Sequence, residues 1–205
     1  ISRHVVDNLP PTLNQVIESF MRLPGIGKKT AYRLGLHILK SNNSDIEKFA
    51  QALLDVKNKL TTCIICHNFS EADLCEICAN NKRDNNIICI CEEPSDIFLI
   101  EKTDFQGVYH VLGGLISPLD GIGPENLNMD SLIERTKNAT EIIIATDSSV
   151  KGDTTALYIS KILNEMPIKM TRLARGLPVG SSLEYVDEAT LAESIHERVE
   201  VNSTI

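Results

Sequence analysis

The chain has 205 residues, 42% hydrophobic and 23% charged, with 4% aromatics and no Trp. That balance suits a folded domain with small satellites; it excludes a disordered chain, and the scarcity of aromatics argues against a base-stacking platform. The formal charge of −8 is unevenly spread, with 10 Lys/Arg against 8 Asp/Glu in residues 1–82 and 10 against 20 in residues 83–205. A globally acidic chain is a poor general polyanion binder, yet a local basic patch on it can still hold phosphate. No apolar run approaches the length of a membrane span. No secretory leader is legible at Ile1, and the absent initiator Met points either to trimming or to an incomplete start.

Leu13, Val16, Ile17, Phe20 and Met21 recur at helical spacing after Pro10 and Pro11, so residues 11–22 read as an amphipathic helix. Leu23-Pro24-Gly25-Ile26-Gly27 breaks the pattern, and Ala31, Leu34 and Ile38 resume it over residues 28–40. A third helix begins at Asp45, with Ser44 or Asp45 as its cap, and carries Ile46, Phe49, Ala50, Leu53 and Leu60 on one face. Residues 61–82 are Cys-rich and too short for an apolar core of their own. From residue 83 strands and helices alternate. Ile87-Ile88-Cys89-Ile90-Cys91 reads as a buried parallel strand, residues 108–112, 142–145 and 169–173 as further strands, and residues 153–165 as a helix. The fold class is therefore α/β, with a mostly parallel sheet built from βαβ units. Four regions are expected: a helical one over 1–60, a cysteine-bearing one over 61–82, the sheet over 83–178, and a C-terminal segment over 179–205.

Two helices joined by a Gly-x-Gly turn aim backbone N–H groups and a helix dipole in one direction, which suits a phosphate. Arg22, Lys28, Lys29, Arg33 and Lys40 lie in residues 21–40 with no acid among them. The run Leu23 to Ala31 resembles the helix-hairpin-helix motif, which grips the sugar-phosphate backbone without reading bases. The DNA-contacting candidates are Gly25, Gly27, Lys28, Lys29 and Arg33. The bland alternative is a helical hairpin with a solvated basic face.

Cys63-x2-Cys66-x8-Cys75-x2-Cys78 forms two Cys-x2-Cys knuckles, whose four thiolates complete a closed tetrahedral Zn²⁺ shell. Disulfides are the alternative, and are rare in the cytosol. With no open position, the zinc is structural. His67 is expected to be exposed rather than ligating. Cys89 and Cys91 read as small packing residues. The remaining histidines, His4, His37, His110 and His196, show no ligand spacing.

Glu92 ends the first strand of the sheet, with Glu93 and Asp96 after it. Asp147 ends the 141–146 strand, and Asp153 is expected to begin the next helix. Ligands of doubly wound sheets bind beyond the carboxyl ends of strands, and acids gathered there suit Mg²⁺. This arrangement resembles the Rossmann-like Toprim domain of topoisomerases and primases, which uses a Glu after one strand and Asp-x-Asp after a later one. Glu92 and Asp147 match, but Ser149 stands at the second Asp position. Mg²⁺ can visit such a cleft, but the lost ligand argues against catalysis. A Mg²⁺-dependent Toprim nuclease or primase-like enzyme is the alternative reading.

The order helix-hairpin-helix, four-cysteine site, Toprim, then a Gly/Pro-rich C-terminal segment resembles the RecR family of bacterial recombination mediators. The specific stretches are residues 23–31, 63–78, 109–123 and 172–180, with Leu183, Glu184 and Asp187 following. The resemblance implies a non-enzymatic, cytoplasmic, nucleoid-associated protein of recombinational DNA repair. It implies action with RecO, and in many bacteria RecF, to load RecA onto single-stranded DNA coated by SSB at gaps. It further implies a ring, commonly a homotetramer, that binds single- and double-stranded DNA without sequence preference. Glu92, Asp96, Asp147 and Asp153 become candidates for meeting RecO. The C-terminal segment corresponds to the family's Walker B-like, ring-assembly region; no Walker A loop is present, so no ATPase is expected. Residues 147–155 (DSSVKGDTT) depart from the family's usual Asn-Pro-Thr-Val-Glu-Gly-Glu run, with Lys151 in place of a Glu.

Overall fold

The computed structural model describes residues 9–199. His4 and residues 200–205 of the C-terminal segment lie outside that range. The chain divides into two compact units after Leu60.

The first unit is helical. Helix α1 (Pro11–Met21) starts after Pro10, as its Pro residues dictate. Helix α2 (Lys28–Lys40) packs back on α1. Ile17 and Ala31 are fully buried in this hairpin, and Gly35 lets the helices close: a Cβ there would meet Ile17 Cγ1 at 2.8 Å. Helix α3 (Asn43–Lys59) starts two residues earlier than expected. Its cap is Asn42, not Ser44 or Asp45: the Asn42 side chain accepts from the Asp45 N–H at 2.9 Å. Asn is as good a cap as Asp, and the chain turned helical at the first one available. No residue of α3 is buried, and Phe49, Leu53, Leu54 and Val56 stay exposed.

The second unit opens with a short ribbon, β1 (Thr61–Thr62) antiparallel to β2 (Phe69–Ser70). The main sheet holds β3 (Asp84–Cys91), β4 (Gly107–Val111), β5 (Glu141–Ala145) and β6 (Lys169–Arg172), all parallel, in the order β4-β3-β5-β6. The crossovers run through α4 (Pro94–Ile100), α5 (Met129–Thr136) and α6 (Val150–Leu163). One face of the sheet packs Ile88, Ile90, Val108, Ile142 and Ile144 against Leu132, Ile159 and Leu163 of α5 and α6. The other buries Cys89, Cys91, Tyr109 and Val111 against Ile97 of α4, with Ile77 of the cysteine-bearing segment added. Both faces are covered, which explains the unbroken apolar run of β3. Cys89 and Cys91 are the small packing residues expected of them.

α6 begins at Val150 rather than at Asp153, because Ser149 caps it by accepting from the Gly152 N–H at 3.1 Å. His67 is half-buried rather than exposed. Its Nε2 lies 2.8 Å from Ser131 Oγ, and its ring meets His110 edge-on at 5.3 Å. Burial holds His110 down at about 4, so this pair packs as neutral rings. After β6 the chain runs through a loop and a 3₁₀ turn (Leu183–Tyr185) into α7 (Glu188–His196), capped by Asp187 on the Thr190 N–H.

Candidate functional site

Three surfaces carry chemistry, and the first is the turn between α1 and α2. Gly25 sits at φ +77°, a conformation that favours glycine. Gly27 has an ordinary φ and a Cβ there would meet nothing within 4 Å, so packing inside the chain does not require a glycine. What a glycine does provide is close backbone approach from outside. The N-terminus of α2 has no side-chain cap and no acid in its first turn. Lys28, Lys29 and Arg33 are all exposed on that helix. Uncapped amide N–H groups, a positive dipole end and exposed cations together favour an anion.

The second surface is the metal centre. The Sγ atoms of Cys63, Cys66, Cys75 and Cys78 all lie within 4.8 Å of one another, and among the described residues this is the one such group of three or more ligating side chains. Tetrahedral Zn–S bonds of about 2.3 Å place sulfurs about 3.8 Å apart, close to the 3.5 Å between Cys66 and Cys75. Each knuckle is a turn held by its own backbone: the His67 N–H donates to Cys63 O at 3.0 Å, and the Ala79 N–H to Cys75 O at 3.0 Å. His67 follows a ligand at φ +62°, which lets its ring turn away toward Ser131. The thiols are unequal. Burial would raise Cys63, but backbone N–H groups of Cys75, Cys66 and Ile65 bring it down to about 7. Cys66 is pushed up by its hydrogen bond to Cys78 and by burial, and Cys75 by burial. Such a cluster becomes four thiolates only with a cation among them, and Zn²⁺ fits it. The four cysteines are suited to hold one zinc ion.

The third is the acidic cleft at the carboxyl ends of β3 and β5. Glu92 is half-buried there, and its carboxyl is raised by burial, then by Asp147, Asp96 and Glu93, with Lys151 opposing. Glu92, Asp96 and Asp147 are thus electrostatic neighbours. Asp96 also accepts from the Glu93 N–H at 2.9 Å, closing the first turn of α4. Asp153 is different. Arg175 and Arg172 both pair with it, the latter at 2.7 Å, and Arg175 above all holds its carboxyl below the usual range. Arg175 also reaches Glu193 of α7 at 3.4 Å, tying the C-terminal segment to α6. Lys151 Nζ bonds to Asp120 at 2.6 Å, joining α6 to the Pro118–Asp120 turn. Sequence reasoning missed Asp120 and both arginines as members of this region. Arg172 and Arg175 lie in the RLARG stretch, but which acid they meet is tertiary information.

A helical hairpin with an uncapped basic start, a four-cysteine knuckle and a four-stranded parallel sheet with acids at its carboxyl end define an α/β protein built around a Toprim domain. Family models agree segment by segment: the Toprim domain over residues 86–174, the RecR helix-hairpin-helix over 13–57, the RecR four-cysteine zinc finger domain over 60–80 and the RecR C-terminal region over 176–199. The recombination proteins RecR of Staphylococcus aureus strains Newman and USA300 are each 48% identical over 195 residues, covering 94% of this chain and 98% of theirs. The chain belongs to the RecR family of recombination proteins. No helix among the described residues is long and apolar enough to cross a membrane.

Proposed function

We propose that this chain is a non-enzymatic, cytoplasmic DNA-binding mediator of recombinational repair, acting near the nucleoid. It works with RecO, and with RecF where that protein is used, to load RecA onto SSB-coated single strands at gaps. The observation that carries this reading is the uncapped, acid-free start of α2 behind Gly27, with Lys28, Lys29 and Arg33 exposed beside it. It suits phosphate, and contacts made to the sugar-phosphate backbone carry no base information, so binding is independent of sequence. The cleft acids Glu92, Asp96 and Asp147 receive basic groups of RecO; Asp153 contributes only if its arginine partners yield. Two features support a role without catalysis: Ser149 is spent on capping α6, and Asp153 is neutralised by arginines. Apolar side chains left exposed on α3 support assembly with further copies, as in the expected tetrameric ring. A ring multiplies a small basic patch into an effective clamp. The C-terminal segment from 179 onward takes part in that assembly.

The test is fluorescence anisotropy on a gapped duplex across a salt series, comparing the intact chain with Lys28→Ala/Lys29→Ala/Arg33→Ala. Loss of affinity is expected, with the slope of log K against log salt flattened by up to about 3 per binding subunit. An unchanged slope would refute the assignment of these residues to phosphate.

A further inference from the structure

The zinc-binding segment carries two properties that holding a metal does not require. The first is apolar exposure. Ile64, Ile65, Phe69 and Leu74 are 68%, 40%, 48% and 37% exposed. They come from one small frame: the Ile64 N–H donates to Asp73 O at 2.9 Å, and Thr62 pairs with Phe69 across the β1–β2 ribbon. Four large apolar side chains on so short a segment are more than scattered surface residues. The second property is charge. No Lys or Arg lies between Lys59 and Lys82, whereas Glu71, Asp73 and Glu76 do, all exposed. A zinc ion among four thiolates adds two further negative charges. A knuckle this acidic repels phosphate.

The Val111 N–H, at the carboxyl end of β4, donates to Cys66 O at 2.8 Å, and two residues on the Gly113 N–H donates to Glu92 O at 2.9 Å. The knuckle and the acidic cleft therefore stand at the same end of the sheet.

We propose that the zinc knuckle is a protein-docking surface: Ile64, Ile65, Phe69 and Leu74 seat apolar side chains of the same basic partner whose cations the cleft acids receive. This rests on the partner reading given under Proposed function. Acids alone give steering and weak, salt-sensitive contact; buried apolar anchors give residence. A frame fixed by metal offers those anchors with little ordering cost. Charge complementarity selects a basic protein over DNA for this face.

The test titrates full-length chain with purified RecO by calorimetry and with gapped DNA by anisotropy, with zinc content measured for every variant. Ile64→Ser/Leu74→Ser is expected to keep its zinc and its DNA affinity while binding RecO about tenfold more weakly or worse. Glu71→Lys/Glu76→Lys, at exposed side chains, is expected to weaken RecO binding most at low salt. Glu92→Gln/Asp147→Asn reports on the cleft separately. If the cleft variant weakens RecO binding and both knuckle variants bind as the intact chain does, the docking proposal is wrong and the partner reading survives. If the knuckle variants lose DNA affinity with zinc retained, the knuckle contacts DNA and the proposal is wrong. If the intact chain does not bind RecO, both readings fall together.

Discussion

Glu92 shows how neighbouring charges bias one carboxyl. Burial and the nearby Asp147, Asp96 and Glu93 raise it, so the folded chain holds a proton that the unfolded chain has already released. Its contribution to stability is fully present below the unfolded glutamate value and is lost as pH rises through the folded one. Glu92→Gln removes that loss. Its denaturation midpoint is expected to exceed that of the intact chain at neutral pH, with the gap closing below about pH 4. Lys151 opposes the rise, so Lys151→Glu should lower neutral-pH stability further; a midpoint insensitive to both changes would rule out this coupling. Gly152 is a second sensitive position. A Cβ there would stand 2.0 Å from the Asp147 carbonyl oxygen, a backbone atom with little room to move. Gly152→Ala should cost more than the loss of the cap in Ser149→Ala, itself about 1 kcal/mol; urea titration of both variants compares them. Glycine was visible in the sequence here, but the carbonyl it accommodates was not.

Elements were legible where periodicity is long and unmixed. The helices near residues 11 and 28 and the buried strand at Ile87 to Cys91 follow from spacing alone, as does the cysteine quartet, whose ligand geometry repeats in the sequence. Short elements leave no such signal. α4 has seven residues with Phe98 and Leu99 exposed beside the buried Ile97, so no clean apolar stripe marks it. The early start of α6 was hidden because Asp153 looks like a cap while Ser149 is the one used. His67 looked like a solvent-facing neighbour of a ligand, yet its partner Ser131 lies 64 residues away. At this scale two outcomes are expected. Gly35→Leu drives a side chain into Ile17 and should destabilise the α1–α2 hairpin by about 1–3 kcal/mol, read as a lower helical melting midpoint. Chelating the zinc should release the Cys66 anchor on Val111 and increase amide exchange along β4 as well as in the knuckle. Exchange confined to residues 61–80 would show the two to be uncoupled.

Across the whole molecule the charge split now has addresses. The acid-free basic run lies on the helical unit, and the excess acid lies on the sheet unit with its knuckle and cleft. One chain can then hold a polyanion and a cationic protein without the two competing for the same groups. Raising salt should weaken both contacts, but the apolar knuckle makes the protein contact fall less steeply than the DNA contact. Parallel salt titrations with RecO and with gapped DNA measure the two slopes; equal slopes would count against an apolar component.

The placement of β3 between β4 and β5 also orders the events of synthesis. The helical unit is compact within residues up to Leu60, so it can form before the sheet is complete. β3 then emerges with Ile88 and Ile90 unshielded, and one of its edges stays open until residues 141–145 arrive. A stalled nascent chain ending between those points would present a finished basic hairpin attached to a sticky, half-built sheet, the state that chaperones and proteases are equipped to intercept.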